Sequence, residues 1–319
     1  MKGQQGLRCG GLNAPAAVVD IVRVEILMRK VLLFSFIGLT VSLWASAQSF
    51  QERILSSASQ APDLRFPDEA MELSASSPLA MAIYRPAGAG PFPALILVHT
   101  CGGLRPEMRN WTKQALSRGY VVFVIDSLGP RGLKTVCHPP SPVSIWRGVK
   151  DSFQALDHLE RFEFVDPYRV GLMGFSWGAM VGLLASSKTV ASVFSPSKRF
   201  AAVASFYPGC YFPASGTRGE IEFLRADTDR PVLVLMGKLD AETPPADCLS
   251  RLETLKERGV PVPWHLYPKA THCWDCGSLH NFSKLDSLGR EVVYLYDEQV
   301  TNDSTQGAFD FLADRLASH

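Results

Sequence analysis

Residues Gly174-Phe175-Ser176-Trp177-Gly178 set a serine between two glycines in a G-x-S-x-G pattern. The run before it, 169–173, reads as a short strand, and the small-residue run 178–187 reads as a helix. A serine on a sharp strand-to-helix turn projects its hydroxyl above the sheet edge, and flanking glycines let strand and helix approach. The positive end of the helix dipole lies beside it. A hydroxyl is a weak nucleophile near neutral pH, so it needs a base, and the base needs an orienting carboxylate. The expected chain order is serine, acid, histidine. Asp240, in Gly237-Lys238-Leu239-Asp240, and His272, in Tyr267-Pro268-Lys269-Ala270-Thr271-His272, fit that order. Both follow predicted strands, where an open parallel sheet carries its functional loops. Asp240 has a plainer use as the cap of the next helix, for which Asp247 competes. His265 lies inside a predicted strand, and Asp227 and Asp229 precede a strand at its wrong end.

Acyl transfer through a serine also needs two backbone donors for the oxyanion. The amide after the nucleophile, that of Trp177, supplies one. The other is expected from the loop His99-Thr100-Cys101-Gly102-Gly103, with the amide of Cys101 as the candidate. His99 is expected to support this loop by hydrogen bonding and is not assigned as the base.

These residues need elements to hold them. Apolar runs 94–98 and 121–125 read as strands buried on both faces. Further strands are expected at 79–84, 201–206, 231–236 and 264–267. Helices are expected at 108–118, 146–160, 246–258 and 305–317. In the second, Val149, Phe153, Leu156 and Leu159 share one face. Strands alternating with helices imply an α/β fold, a mostly parallel sheet with helices on both faces. The segment 274–302 is less regular and is expected to cover one edge of the site.

Composition bounds the rest. The chain has 319 residues, 46% hydrophobic, with a net charge of +1. A neutral balance without a basic face gives no support to nucleic-acid binding. Arg29 and Lys30 precede an apolar run, 31–44, and Ala45-Ser46-Ala47 follows. That order is expected of a secretory signal cleaved before Gln48. The run is short for a membrane span, which needs ~20 residues. A retained N-terminal anchor helix is the rival. The division is then 1–27 as an upstream extension, 28–47 as signal peptide, 48–70 as a linker or loosely packed arm, and 71–319 as one domain. The expected location is secreted or periplasmic, with no stable span after cleavage. Seven cysteines are present, and Cys9 would be lost with the signal. In an oxidising compartment the other six can pair. Cys101 with Cys137, and Cys210 with Cys248, follow consecutive predicted strands and are candidate bridges. Cys273 and Cys276 form a C-x-x-C beside His272, but no second ligand pair stands near to complete a zinc site.

The order and spacing of several stretches resemble the dienelactone hydrolase family of the α/β-hydrolases. They are Arg85-Pro86-Ala87-Gly88 to Pro93, His99 to Leu104, Asp126 to Gly132, Gly174 to Gly178, Gly237 to Pro244, and Tyr267 to His272. The resemblance implies Ser176, Asp240 and His272 at the triad positions and the amides of Trp177 and Cys101 at the oxyanion hole. The founding dienelactone hydrolases use cysteine as nucleophile, and this chain has Ser176. Their activity on dienelactone itself therefore does not carry over, while generic ester hydrolysis does. An arginine after the strand-end aspartate helps to hold the substrate carboxylate in those enzymes, and Arg131 is similar in position. The alternative for Arg131 is pairing with Asp126 or packing over the loop. The expected function is cleavage of a small-molecule ester or lactone without metal or organic cofactor. An exported peptidase of the same fold, or a non-catalytic binding protein that keeps the fold, are the other readings.

Overall fold

The computed structural model describes residues 49–138, 141–213, 220–260, 262–285 and 289–317. The expected signal peptide and the extension before it lie outside them. The chain divides into two units, Met1–Glu52 and Arg53–His319. The second carries everything that follows.

Its strands are β1 (Ala70–Met71), β2 (Ala82–Tyr84), β3 (Phe92–Val98), β4 (Val121–Ile125), β5 (Val165–Phe175), β6 (Val203–Phe206), β7 (Tyr211–Phe212), β8 (Ile221–Glu222), β9 (Val232–Gly237), β10 (Trp264–Tyr267), β11 (Phe282–Leu285) and β12 (Glu291–Tyr294). Its helices are α1 (Glu107–Leu116), α2 (Ile145–Leu159), α3 (Trp177–Ala185), α4 (Lys188–Phe194), α5 (Pro245–Glu257) and α6 (Glu298–Arg315). Eight strands form one sheet in the order β1-β2-β4-β3-β5-β6-β9-β10. All its neighbours are parallel except β2 and β4. This is the α/β architecture expected from the sequence.

The unbroken apolar runs of β3 and β4 follow from cover on both faces. Leu95 and Leu97 pack in one core with Met108, Trp111 and Ala115 of α1 and Phe309 and Leu312 of α6. Alternation turns Ile96 and Val98 to the opposite face, where α2 and α3 lie against β3 and β5. Helix α2 starts where Ser144 accepts from the amide of Arg147 at 3.2 Å, an N-cap that satisfies one orphan donor. Helix α6 begins seven residues before the predicted 305. Its first turns are polar, but the Asp297 side chain accepts from the Val300 amide at 3.0 Å and sets the start.

The stretch expected to be a linker or loose arm is packed from residue 53 onward. Ile54, Ala58 and Ala61 are buried. Arg147, itself fully buried, donates to the carbonyls of Ala58 (3.2 Å) and Ala61 (3.3 Å) and to Asp63 (2.8 Å). Hydrogen bonds from Lys150 and Arg147 hold the Asp63 carboxyl down at about 2.

Candidate active site

Ser176 follows β5 and precedes α3, with φ 51° and ψ −109°. An L-residue there is strained by roughly 1–3 kcal/mol, and the surroundings must impose it. Its amide donates to Phe206 O at 2.9 Å and its carbonyl accepts from Met180 at 3.0 Å. A Cβ on Gly174 would lie 2.1 Å from the carbonyl oxygen of Gly178, and one on Gly178 would lie 2.2 Å from Val98 O. Both glycines of the motif are there because neighbouring backbone leaves no room for a side chain.

Three loops at the carboxyl edge bring the expected residues together. Ser176 Oγ lies 2.9 Å from His272 Nε2, and His272 Nδ1 lies 2.7 Å from Asp240 Oδ2. All three residues are buried. Asp240 Oδ1 accepts from the amides of Glu242 (2.9 Å) and Thr243 (2.8 Å), and the Thr243 hydroxyl lies 2.8 Å from Oδ2. A carboxylate satisfied this way is fixed in orientation. Burial alone would push the His272 imidazole down, but the charges of Asp240 and Glu242 outweigh it and hold the group above its usual range. A Cβ on Gly237 would lie 2.5 Å from Ala270 O, so the acid-bearing and histidine-bearing loops lie tightly together. A hydroxyl bonded to such an imidazole can lose its proton as it attacks an electrophilic carbon.

Neither Cys101 N nor Trp177 N takes a hydrogen-bond partner among the described residues. Thr100, Cys101 and Ser176 line one cavity. His99 braces this loop. Its Nε2 accepts from the Ser127 amide at 3.1 Å, so Nδ1 carries the proton and donates to Thr100 O at 2.6 Å. Burial pushes its pKa down, which suits a neutral ring. The ring stacks on Trp177 at 5.6 Å, and His99 O accepts from Gly178 N at 3.1 Å. Cys101 is bonded to Cys137, and Cys101 O accepts from Val136 N at 2.8 Å. Cys210 is bonded to Cys248 and Cys273 to Cys276. Cys273, Asp275 and Cys276 are the three potential ligands whose donor atoms converge among the described residues. Two sulfurs bonded to each other cannot serve as thiolates, and Asp275 already accepts from Trp111 and Tyr207, both at 2.8 Å. The donor set does not fit zinc.

The cavity holds about 220 Å³. Leu279, Phe282 and Tyr294 contribute apolar walls from the irregular segment after His272, which covers one side of the site. Arg105, Lys134 and Lys284 contribute cations. Arg131 does not line it, contrary to the expected substrate contact. Its guanidinium makes two hydrogen bonds to Asp151, at 2.7 and 2.9 Å. The remaining donors go to Ser127 O (2.8 Å) and Pro62 O (2.9 and 2.5 Å). With 4% of its side chain exposed, Arg131 is committed to a buried ion pair. Its partner is neither substrate nor Asp126.

With this geometry in view, the dienelactone hydrolase family matches residues 79–316, most of the chain. The chain belongs to that family. Dienelactone hydrolases are carboxylic ester hydrolases, and this protein is one of them. No curated protein sequence matches it. Among solved structures, it is similar to a Klebsiella pneumoniae protein assigned as a dienelactone hydrolase, with TM-score 0.56, 19% identity, and coverage of 73% of this chain and 92% of that one. A thermophilic esterase, esterase 2 of Thermogutta terrifontis with propionate bound, gives TM-score 0.55 and 17% identity, covering 75% and 91%. MGS-M1, an α/β-hydrolase enzyme from a Medee basin deep-sea metagenome, gives 0.51 and 18%, covering 71% and 86%. At such identities the likeness establishes the fold.

Sequence reasoning missed Glu242 and Thr243, the hydroxyl and amide donors around Asp240, and the cavity residues Arg105, Lys134, Lys284 and Tyr294. For the first two a signal existed. An aspartate followed two and three residues on by amides it can accept from is an Asx-type turn.

Proposed function

We propose that this member of the dienelactone hydrolase family is an exported serine esterase that cleaves a small ester or lactone. The observation that carries the reading is the unbroken hydrogen-bonded chain from Ser176 Oγ through His272 to Asp240, opening on the cavity. Ser176 Oγ attacks the carbonyl carbon as His272 Nε2 takes its proton. Asp240 holds the imidazole in the required tautomer and stabilises the imidazolium. The amides of Cys101 and Trp177 hold the developing oxyanion. His272 then protonates the leaving oxygen, an acyl-enzyme remains on Ser176, and water releases it by the same steps in reverse. Export rests on the basic, apolar and small-residue order of residues 28–47, and the paired cysteines suit an oxidising compartment.

Labelling by a fluorophosphonate probe tests the reading. Esterase 2 of Thermogutta terrifontis is itself phosphorylated by paraoxon. The expected outcome is a single adduct on Ser176, absent after Ser176→Ala. An unlabelled native protein, or a label on another residue, overturns it.

A further inference from the structure

The loop that carries Asp240 presents a second carboxylate to His272. Glu242 Oε2 lies 3.9 Å from His272 Nε2, the nitrogen that faces Ser176. That distance is too long for a hydrogen bond and short enough for an ion pair. Two groups of the β11–β12 hairpin explain why Glu242 comes no closer. Lys284 Nζ donates to Oε1 at 2.7 Å, and the Tyr294 hydroxyl donates to Oε2. Both Lys284 and Tyr294 line the cavity. The carboxylate is thus tied back by the cover of the site, with its charge aimed at the imidazole edge that receives the serine proton.

We propose that Glu242 is a positioning residue that acts through His272: held off by Lys284 and Tyr294, it stabilises the imidazolium without capturing its Nε2 proton. The inference rests on the serine-esterase reading for its consequence in catalysis. In the step concerned, the Ser176 proton passes to Nε2 while Oγ bonds to carbon and the carbonyl electron pair moves to oxygen. The imidazole becomes a cation at that moment. Asp240 meets this charge at Nδ1 and Glu242 meets it at Nε2. A carboxylate hydrogen-bonded directly to Nε2 would hold the proton that the leaving group needs. The tether prevents this contact and leaves only the field.

Other groups around the imidazole sharpen the test. The Tyr207 ring lies edge-on at 4.8 Å and the Tyr294 ring at 5.4 Å, both phenols raised by burial and thus neutral. Thr243 Oγ1 lies 3.2 Å from Nδ1 and does not titrate. Lys284 is the cation that opposes Asp240 and Glu242 at His272. Burial pushes Glu242 itself up, but His272, Lys284 and the Tyr294 hydroxyl leave it below the usual carboxylate range. It is charged wherever the imidazole titrates. Removing Glu242 and removing Lys284 must therefore move His272 in opposite directions.

The experiment is an NMR titration of the His272 ring in Ser176→Ala protein, alone and with Glu242→Gln or Lys284→Met. It is paired with pH profiles of kcat/KM on 4-nitrophenyl acetate in protein that keeps Ser176. Glu242→Gln should lower the His272 pKa, and the acid limb with it, by about one unit, the low end for a charge at 4–6 Å. Lys284→Met should raise both. A role confined to holding the hairpin predicts lower melting temperatures with no movement of either. Unmoved titrations, or shifts of the same sign in both variants, overturn the inference. If Glu242→Gln does not fold, Lys284→Met decides alone, and a fixed or lowered His272 titration overturns it. Opposite shifts in the titration with no turnover or labelling of the native protein would leave the role of Glu242 at His272 standing and defeat the esterase reading instead.

Discussion

Replacing Arg131 by methionine separates two uses of a buried guanidinium. The side chain is 4% exposed and Asp151 is fully buried, so solvent does not screen the pair. Breaking a buried pair from one side costs ~3–5 kcal/mol, because the remaining charge loses its compensation. Here Asp151 keeps Arg147, which holds Oδ1 at 2.6 and 2.8 Å. Oδ2 loses its contact with Arg131, and so do the carbonyls of Ser127 and Pro62. The retained partner puts the expected loss at the low end, ~3 kcal/mol. At ~2–4 °C per kcal/mol for a domain of this size, the melting temperature should fall by roughly 6–12 °C. The assay pairs a melting curve with kinetics on two esters of equal size, one neutral and one carrying a carboxylate. Arg131→Met should change kcat/KM for both alike, since Arg131 stands outside the cavity. An unchanged melting temperature, with KM raised only for the anionic ester, would refute the placement and restore the carboxylate clamp.

Ser176→Ala should keep the fold and lose ~10⁶ in kcat, as in subtilisin-type serine loss; more than a few per cent of native turnover would contradict the nucleophile. Because His272 must be neutral to act as base and its pKa is raised, kcat/KM should rise with pH through a limb above the usual imidazole value near 6.5. A limb at or below that value would show that the two carboxylates do not outweigh the burial of the ring. Replacing Cys101 and Cys137 together by serine should lower kcat more than it raises KM, because the bridge braces the loop whose amide is proposed to hold the oxyanion. Kinetics with an unaltered kcat would remove the bridge from that role. Mass spectrometry of the native protein should find Gln48 as the first residue, and a chain that retains 31–44 would disprove cleavage.

Much of the site was legible because its logic is local. Gly174 and Gly178 announce a turn that only glycines permit, and the apolar runs at 94–98 and 121–125 announce buried strands. Asp240 and His272 then follow from chain order and from their places after strands. The cysteine pairs 101–137 and 210–248 were read from neighbouring strand ends, and both are bonded. What was not legible depends on long-range partners. Arg131 sits at the expected sheet edge, but its fate turned on Asp151, twenty residues away inside α2, and on the carbonyl of Pro62. Nothing in the sequence around residue 131 points to either. Glu242 met Lys284 and Tyr294 only because a short, irregular hairpin folds back over the site, and two short strands carry too little periodicity to be read.

Backbone oxygens stand where a methyl group would have to go on Gly174 and Gly178, so both flanks are closed to any larger residue. Residue 176 differs, because its side-chain tip is the part that faces the cavity. The founding dienelactone hydrolases carry sulfur at that tip and this chain carries oxygen. Exchanging one atom for the other adds no carbon to the turn. Chemical reactivity in this scaffold is therefore variable at a single terminal atom, on a support that tolerates no added carbon on either side.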